Sequence, residues 1–147
     1  ENILKKECKI NIPDGCSANK DGIRKWDREK LEKLGLMQLL NDEYNGDFRL
    51  GPVYSGHIAK IIQKKCSDSV LVDKVNEIAL IEGKVRNPAA HEIISVTDEW
   101  IRQETGRTAK DILALLKYLV VRSGISVKEE HWKSYDAMNE QIERCLM

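Results

Sequence analysis

The chain has 147 residues, of which 41% are hydrophobic and 33% charged. Lys and Arg number 24 and so do Asp and Glu, which excludes a basic body that coats nucleic acid without specificity and leaves only local basic sites. No apolar run approaches the roughly 18 residues of a membrane span, and mean hydropathy is −0.46, so the reading is a soluble cytoplasmic domain with no membrane partner.

This length suits one domain with a sizeable core. The sequence opens on Glu1 with no signal-peptide pattern, and the simplest expectation is a piece cut from something larger. Cysteines stand at 8, 16, 66 and 145 without a C-x-x-C pair or a close histidine, which argues against a zinc site. Reduced thiols are expected, with a Cys8–Cys16 pair left open.

Residues 1–20 differ from the rest. Ile3-Leu4, Cys8, Ile10 and Ile12 hint at period-two alternation that ends at the turn signal Pro13-Asp14-Gly15. The stretch reads as a short extended N-terminal arm, either an edge strand or the tail or linker of a preceding domain. The helical domain is then 21–147. From Gly22 onward, Ile23, Trp26, Leu31, Leu34, Met37 and Leu40 repeat at helical spacing. Asn45-Gly46 and Gly51-Pro52 mark 41–52 as a loop, and Val53–Lys65 as a short helix. Ser69 is placed to cap the next helix, which carries Val72, Val75, Ile78, Ala79 and Val85.

Later helices begin with cap signatures. Thr97 caps a short piece from Asp98 to Gln103. Thr108-Ala109-Lys110-Asp111 resembles a capping box and opens the run Ile112, Leu113, Leu116, Leu119 and Val120, which Gly124 closes. Ser126-Val127-Lys128-Glu129 is a full capping box before Trp132, Tyr135, Met138, Ile142 and Leu146. No strand-like repeat follows residue 20. The fold class is all-α, a helical bundle of about five to seven helices. Trp26, Trp132, Tyr135 and Met138 fall on apolar stripes and read as core, while Lys128-Glu129-Glu130 reads as a solvated face.

One stretch departs from a generic bundle: Lys84-Val85-Arg86-Asn87-Pro88-Ala89-Ala90-His91-Glu92-Ile93-Ile94. Proline suits the first helical position and drives the preceding residue away from helical angles, so Asn87 reads as an N-cap. His91 lies four residues on, which puts it on the same face as Asn87. With Arg86 just outside the cap, free amides, a guanidinium and an imidazole would surround an anion, most naturally a phosphate. That arrangement suits cleavage of RNA by its own 2′-OH, a reaction that needs no metal if a side chain moves protons and a cation steadies the phosphorane. Histidine, with an unperturbed pKa of about 6.5, serves either proton role. A helix N-terminus would favour neutral imidazole and a bound phosphate would oppose it. The plainer alternative is an ordinary capped helix start with Arg86 in a surface ion pair. His57 and His131 lack neighbours at motif spacing and read as structural or surface residues. Lys84 and Arg107 are lone basic residues, left outside the site.

Arg86-Asn87-Pro88-Ala89-Ala90-His91 closely resembles the R-N-x-x-x-H signature of HEPN ribonuclease domains. With Glu92-Ile93 and Ser95-Val96-Thr97 following, it is similar to the accessory ribonucleases of type III CRISPR systems, the Csm type. The resemblance covers roughly residues 70–147, and residues 23–69 agree only in being helical. It implies a HEPN-like bundle and a homodimer in which two motif copies form one composite site. It further implies metal-independent cutting of single-stranded RNA to a 2′,3′-cyclic phosphate and a 5′-OH, with no cofactor. Carried onto this chain, Arg86 stabilises the phosphorane, His91 moves protons or holds the 2′-OH, and Asn87 fixes the motif's geometry. Full-length relatives carry a CARF domain that binds a cyclic oligoadenylate activator. No G-x-G loop or strand–helix alternation is present, so that sensor is expected to be absent from this chain. The alternative class is a non-catalytic HEPN-like module that binds a nucleotide or a protein.

Overall fold

The computed structural model describes residues 1–92 and 96–146, with the backbone alone for His91, Cys145 and Leu146. It is 69% helical with one small two-stranded sheet, an all-α bundle. Two compact units divide it, Glu1–Asn76 and Glu77–Met147.

In the first unit the opening residues are not an extended strand. Asn2–Cys8 form α1, which ends at Lys9 in the left-handed region, and a 3₁₀ turn, Ile12–Gly15, follows. The apparent alternation arises because Leu4 and Ile12 are both buried from two different helical turns. Strand β1 (Cys16–Ala18) then pairs antiparallel with β2 (Arg24–Trp26), placing Cys16 opposite Trp26. Asn19 closes the turn between them, its Oδ1 accepting from the Asp21 and Ile23 amides.

The single helix expected through 23–40 is therefore three elements. Arg24–Trp26 are strand, a correction to the reading of no strand beyond residue 20. Asp27 then starts a helix by accepting from the Lys30 amide at 3.2 Å. This helix, α2 (Arg28–Lys33), gives way at Gly35, whose φ of +70° stops one helix and opens α3 (Leu36–Glu43). Leu31, Leu36 and Leu40 are fully buried along this pair.

Loop 44–54 returns to the sheet. The Trp26 amide donates to the Gly51 carbonyl at 2.9 Å, and the Val53 amide to Arg24 at 3.1 Å. Helix α4 (Ser55–Lys65) packs on α1 and α3 and buries Ala59, Ile61 and Ile62. Its successor α5 (Ser69–Ile81) is capped one residue earlier than the sequence suggested. Asp68 Oδ1 accepts from the Val70 and Leu71 amides, because a carboxylate outcompetes the adjacent hydroxyl for these donors. Cys8, Cys16 and Cys66 are free thiols. Cys8 has Cys66 beside it rather than Cys16, and burial together with that neighbour pushes the Cys8 thiol up.

In the second unit a π-helical turn, Glu82–Arg86, runs into α6 (Asn87–His91). Helix α7 (Asp98–Thr105) packs against the π turn, and its Thr97 cap accepts from the Trp100 amide at 3.1 Å. The box at Thr108 forms as read. Its Oγ1 accepts from the Asp111 amide and Asp111 Oδ2 accepts from the Thr108 amide, opening α8 (Ala109–Ser123). Gly124, at φ +73°, closes it. Two hydrogen bonds from Thr108 hold the Asp111 carboxyl below its ordinary value.

Helix α9 begins later than its motif implied. It spans Glu129–Leu146, and its first turn bonds to the Lys128 carbonyl rather than to a Ser126 cap. Leu115 and Leu119 form the buried face of α8, and the Tyr135 hydroxyl of α9 donates to the Leu113 carbonyl at 3.1 Å. Lys117 lies over the rings of Trp132 and Tyr135. Met138 is 51% exposed in this unit, against the reading of it as core. Among the described residues no helix is long and apolar enough to cross a membrane.

Candidate active site

The motif residues occupy the junction between the π turn and α6. Helical backbone is continuous from Ser69 to His91, so no helix starts here. Asn87 has φ −67° and ψ −48°, both helical, and its amide donates to the Glu82 carbonyl five residues back. This corrects the expected N-cap at Asn87 and removes the free-amide anion site that depended on it.

Pro88 supplies the physical reason. Inside an α-helix its ring would strike the carbonyl four residues earlier, that of Lys84, and it has no amide to donate. Widening the preceding turn to i→i+5 bonding moves that carbonyl aside and lets the chain pass the proline without breaking. Regular α-helical bonding resumes at once, the Glu92 amide donating to the Pro88 carbonyl at 2.8 Å.

Asn87 instead serves its neighbour. Arg86 Nη1 donates to Asn87 Oδ1 at 2.9 Å, which fixes the guanidinium at the surface of the turn. Arg86 is exposed and Asn87 half-buried, while Ala89 and Ala90 leave this face of α6 small and open. The structure thus joins two of the three sequence-derived site residues. His91 closes α6 in backbone, and its side chain lies outside the described residues, as do Ile93 and Ser95 of the following segment.

The neighbouring basic residues are placed differently. Lys84 is exposed on the π turn, whereas Arg107 is engaged, its Nη2 donating to Glu77 Oε1 at 2.6 Å. His131 is exposed in the first turn of α9, its amide bonded to the Lys128 carbonyl. Among the described residues no three His, Cys, Asp or Glu side chains gather as metal ligands.

The family model of the Cas_Csm6 HEPN domain matches residues 1–143. The chain belongs to the Cas_Csm6 HEPN family. Membership supports a general ribonuclease role in a CRISPR-associated system, and the match reaches back through α1 and the small sheet, where the sequence offered no recognisable motif. No curated protein matches the chain.

Sequence reasoning missed a second constellation in this HEPN domain, in the first unit. His57 of α4 is ringed by Trp26, Tyr44, Phe48 and Tyr54, with ring centroids 5.3–5.8 Å away. Its Nδ1 accepts from Trp26 Nε1 at 2.9 Å and from the Tyr54 amide at 3.3 Å, and burial pushes the imidazole below its ordinary value. The available signal was the density of aromatic residues in 44–57, a stretch read only as loop and helix start.

Proposed function

We propose that this HEPN domain is a metal-independent endoribonuclease that cuts single-stranded RNA through attack of the 2′-OH on the adjacent phosphate, in CRISPR antiviral defence within the cytoplasm. The observation that carries the reading is the Arg86–Asn87 hydrogen bond on an exposed helical turn inside a family-matched HEPN domain. A guanidinium held by a neighbouring amide oxygen keeps its remaining N–H donors aimed outward, the arrangement that steadies charge growing on a phosphorane.

In this reading Arg86 binds the scissile phosphate, Asn87 positions Arg86, and His91 moves the proton to or from the 2′-oxygen or the leaving 5′-oxygen. A second copy of the chain completes the site, so that two Arg86–His91 sets face one RNA strand. Exposed apolar side chains in the second unit, Leu116 and Val121 on α8 and Met138 on α9, support self-association by offering surface to bury. Any cyclic oligoadenylate control would act through a CARF domain in a longer protein.

The test is cleavage of end-labelled single-stranded RNA in EDTA, comparing the native chain with Arg86→Ala and His91→Ala at matched high concentration. Cutting that leaves cyclic-phosphate ends and vanishes in both variants supports the proposal. Equal activity in all three removes these residues from the chemistry. An inactive but stable dimer, seen by sedimentation, would favour the non-catalytic binding module.

A further inference from the structure

The aromatic constellation around His57 opens onto a cavity of about 380 Å³ in the first unit, a volume within the range of about 300–1,000 Å³ usual for small-ligand sites. Its walls include the rings of Tyr44, Phe48 and Tyr54, and Tyr54 is 61% exposed. Asp47 and Arg49 also line it, and both are exposed.

What distinguishes this cavity is how many polar groups it leaves unused. Both donors to His57 fall on Nδ1, so the neutral ring carries its proton on Nε2 and presents an N–H there. Among the described residues that Nε2, the Tyr44 hydroxyl, the Asp47 carboxylate and the Arg49 guanidinium make no hydrogen bond or ion pair. Nor does any buried side-chain nitrogen or oxygen among them lack a partner, so these groups reach the cavity or solvent. The loop is anchored by backbone bonds from Gly51 and Val53 to β2, which gives the pocket a fixed wall.

The geometry points to this cavity as a binding site for a guanine base, with the Asp47 carboxylate on its paired N–H donors and Arg49 on the attached phosphate. Aromatic faces select a planar π-system and tolerate any base. A carboxylate accepts and cannot donate, and guanine is the base whose Watson–Crick edge offers two adjacent donors. The His57 Nε2–H complements an acceptor on the same ring. Arg49 supplies a fixed fork for phosphate oxygens. The inference does not need the cleavage reading, since every residue in it belongs to the first unit and none to the Arg86 motif.

Saturation-transfer NMR on the full chain tests it with guanosine, adenosine and uridine monophosphates. Two single-stranded heptamers of uridine, one with a central guanosine, distinguish an RNA source from a free nucleotide. Saturable binding of the guanosine nucleotide is expected. Tyr54→Ala should weaken it about 5- to 150-fold, the worth of one stacked base. Asp47→Asn should abolish the preference over adenosine monophosphate, and Arg49→Ala should weaken the nucleotide while sparing the nucleoside. All three side chains are exposed, and circular dichroism checks that the variants fold. Tighter binding of the guanosine-containing heptamer assigns the site to RNA, and tighter binding of the mononucleotide to a free ligand. Lack of saturable binding by any probe, or binding indifferent to Tyr54→Ala, overturns the site. Adenosine monophosphate bound as tightly as the guanosine nucleotide overturns the guanine assignment.

Discussion

His57→Phe is the substitution that most directly probes the first unit. Trp26 is only 4% exposed, and its indole N–H has His57 Nδ1 as acceptor at 2.9 Å. Phenylalanine keeps a planar ring among Trp26, Tyr44, Phe48 and Tyr54 but offers no acceptor. A buried donor left without a partner costs about 1–3 kcal/mol. The Tyr54 amide loses a longer bond at an exposed residue and gains water instead. The expected loss is therefore about 2 kcal/mol, read from urea unfolding followed by far-UV circular dichroism.

Trp26→Phe closes a double-mutant cycle, because with both partners apolar no orphan donor remains. The coupling should be about 1–2 kcal/mol. The variants also separate charge from packing. Burial holds the His57 imidazole below 6.5, so between its lowered value and 6.5 the unfolded chain binds more protons than the folded one. Stability from this residue is complete above pH 6.5 and is lost as pH falls through that window. The slope should flatten in His57→Phe. Additive single losses together with an unchanged pH slope would refute the reasoning.

Three further outcomes are expected. Thr108→Ala should cost about 1 kcal/mol, since it removes the acceptor of the Asp111 amide in the first turn of α8, and hydrogen exchange should quicken there first. Gly35→Ala should cost about 1 kcal/mol in thermal or urea unfolding: an added Cβ meets nothing within 4 Å, so the penalty is the backbone's alone at φ +70°. Asn87→Ala should lower the turnover of the proposed ribonuclease roughly tenfold without altering the helical circular-dichroism signal, because it frees Arg86 and leaves the turn intact.

What the sequence disclosed and what it hid follow from the range of the interactions. Thr97, Thr108 with Asp111, and Gly124 act within one helical turn, and each was legible as a local signature. The hairpin was hidden because its strands are three residues long and depend on a turn at Asn19 and on loop residues 51–53. At Ser126 a good local signature lost to a helix that starts from Lys128. Within the candidate site, the pairing of Arg86 with Asn87 needed only adjacency. The π turn did not follow from Pro88 alone, since a proline after Asn87 suits an N-cap equally well. What decided the matter was continuity with α5, which single-residue preferences do not report.

That continuity gives the π turn a role in phasing. At 3.6 residues per turn, one additional residue rotates all that follows by about 100° around the axis. Deleting a single residue from Glu82–Val85 would let the segment wind as a plain α-helix up to the proline. The widened turn that clears the Pro88 ring would then be gone, so the helix would break at the proline and the Arg86–Asn87 pair would lose the face it now occupies. A residue inserted among 77–81 would instead leave the π turn intact and carry Arg86 and Asn87 about 100° around the axis. The number of residues between Ile81 and Pro88 is thus as much a part of the site as their identities.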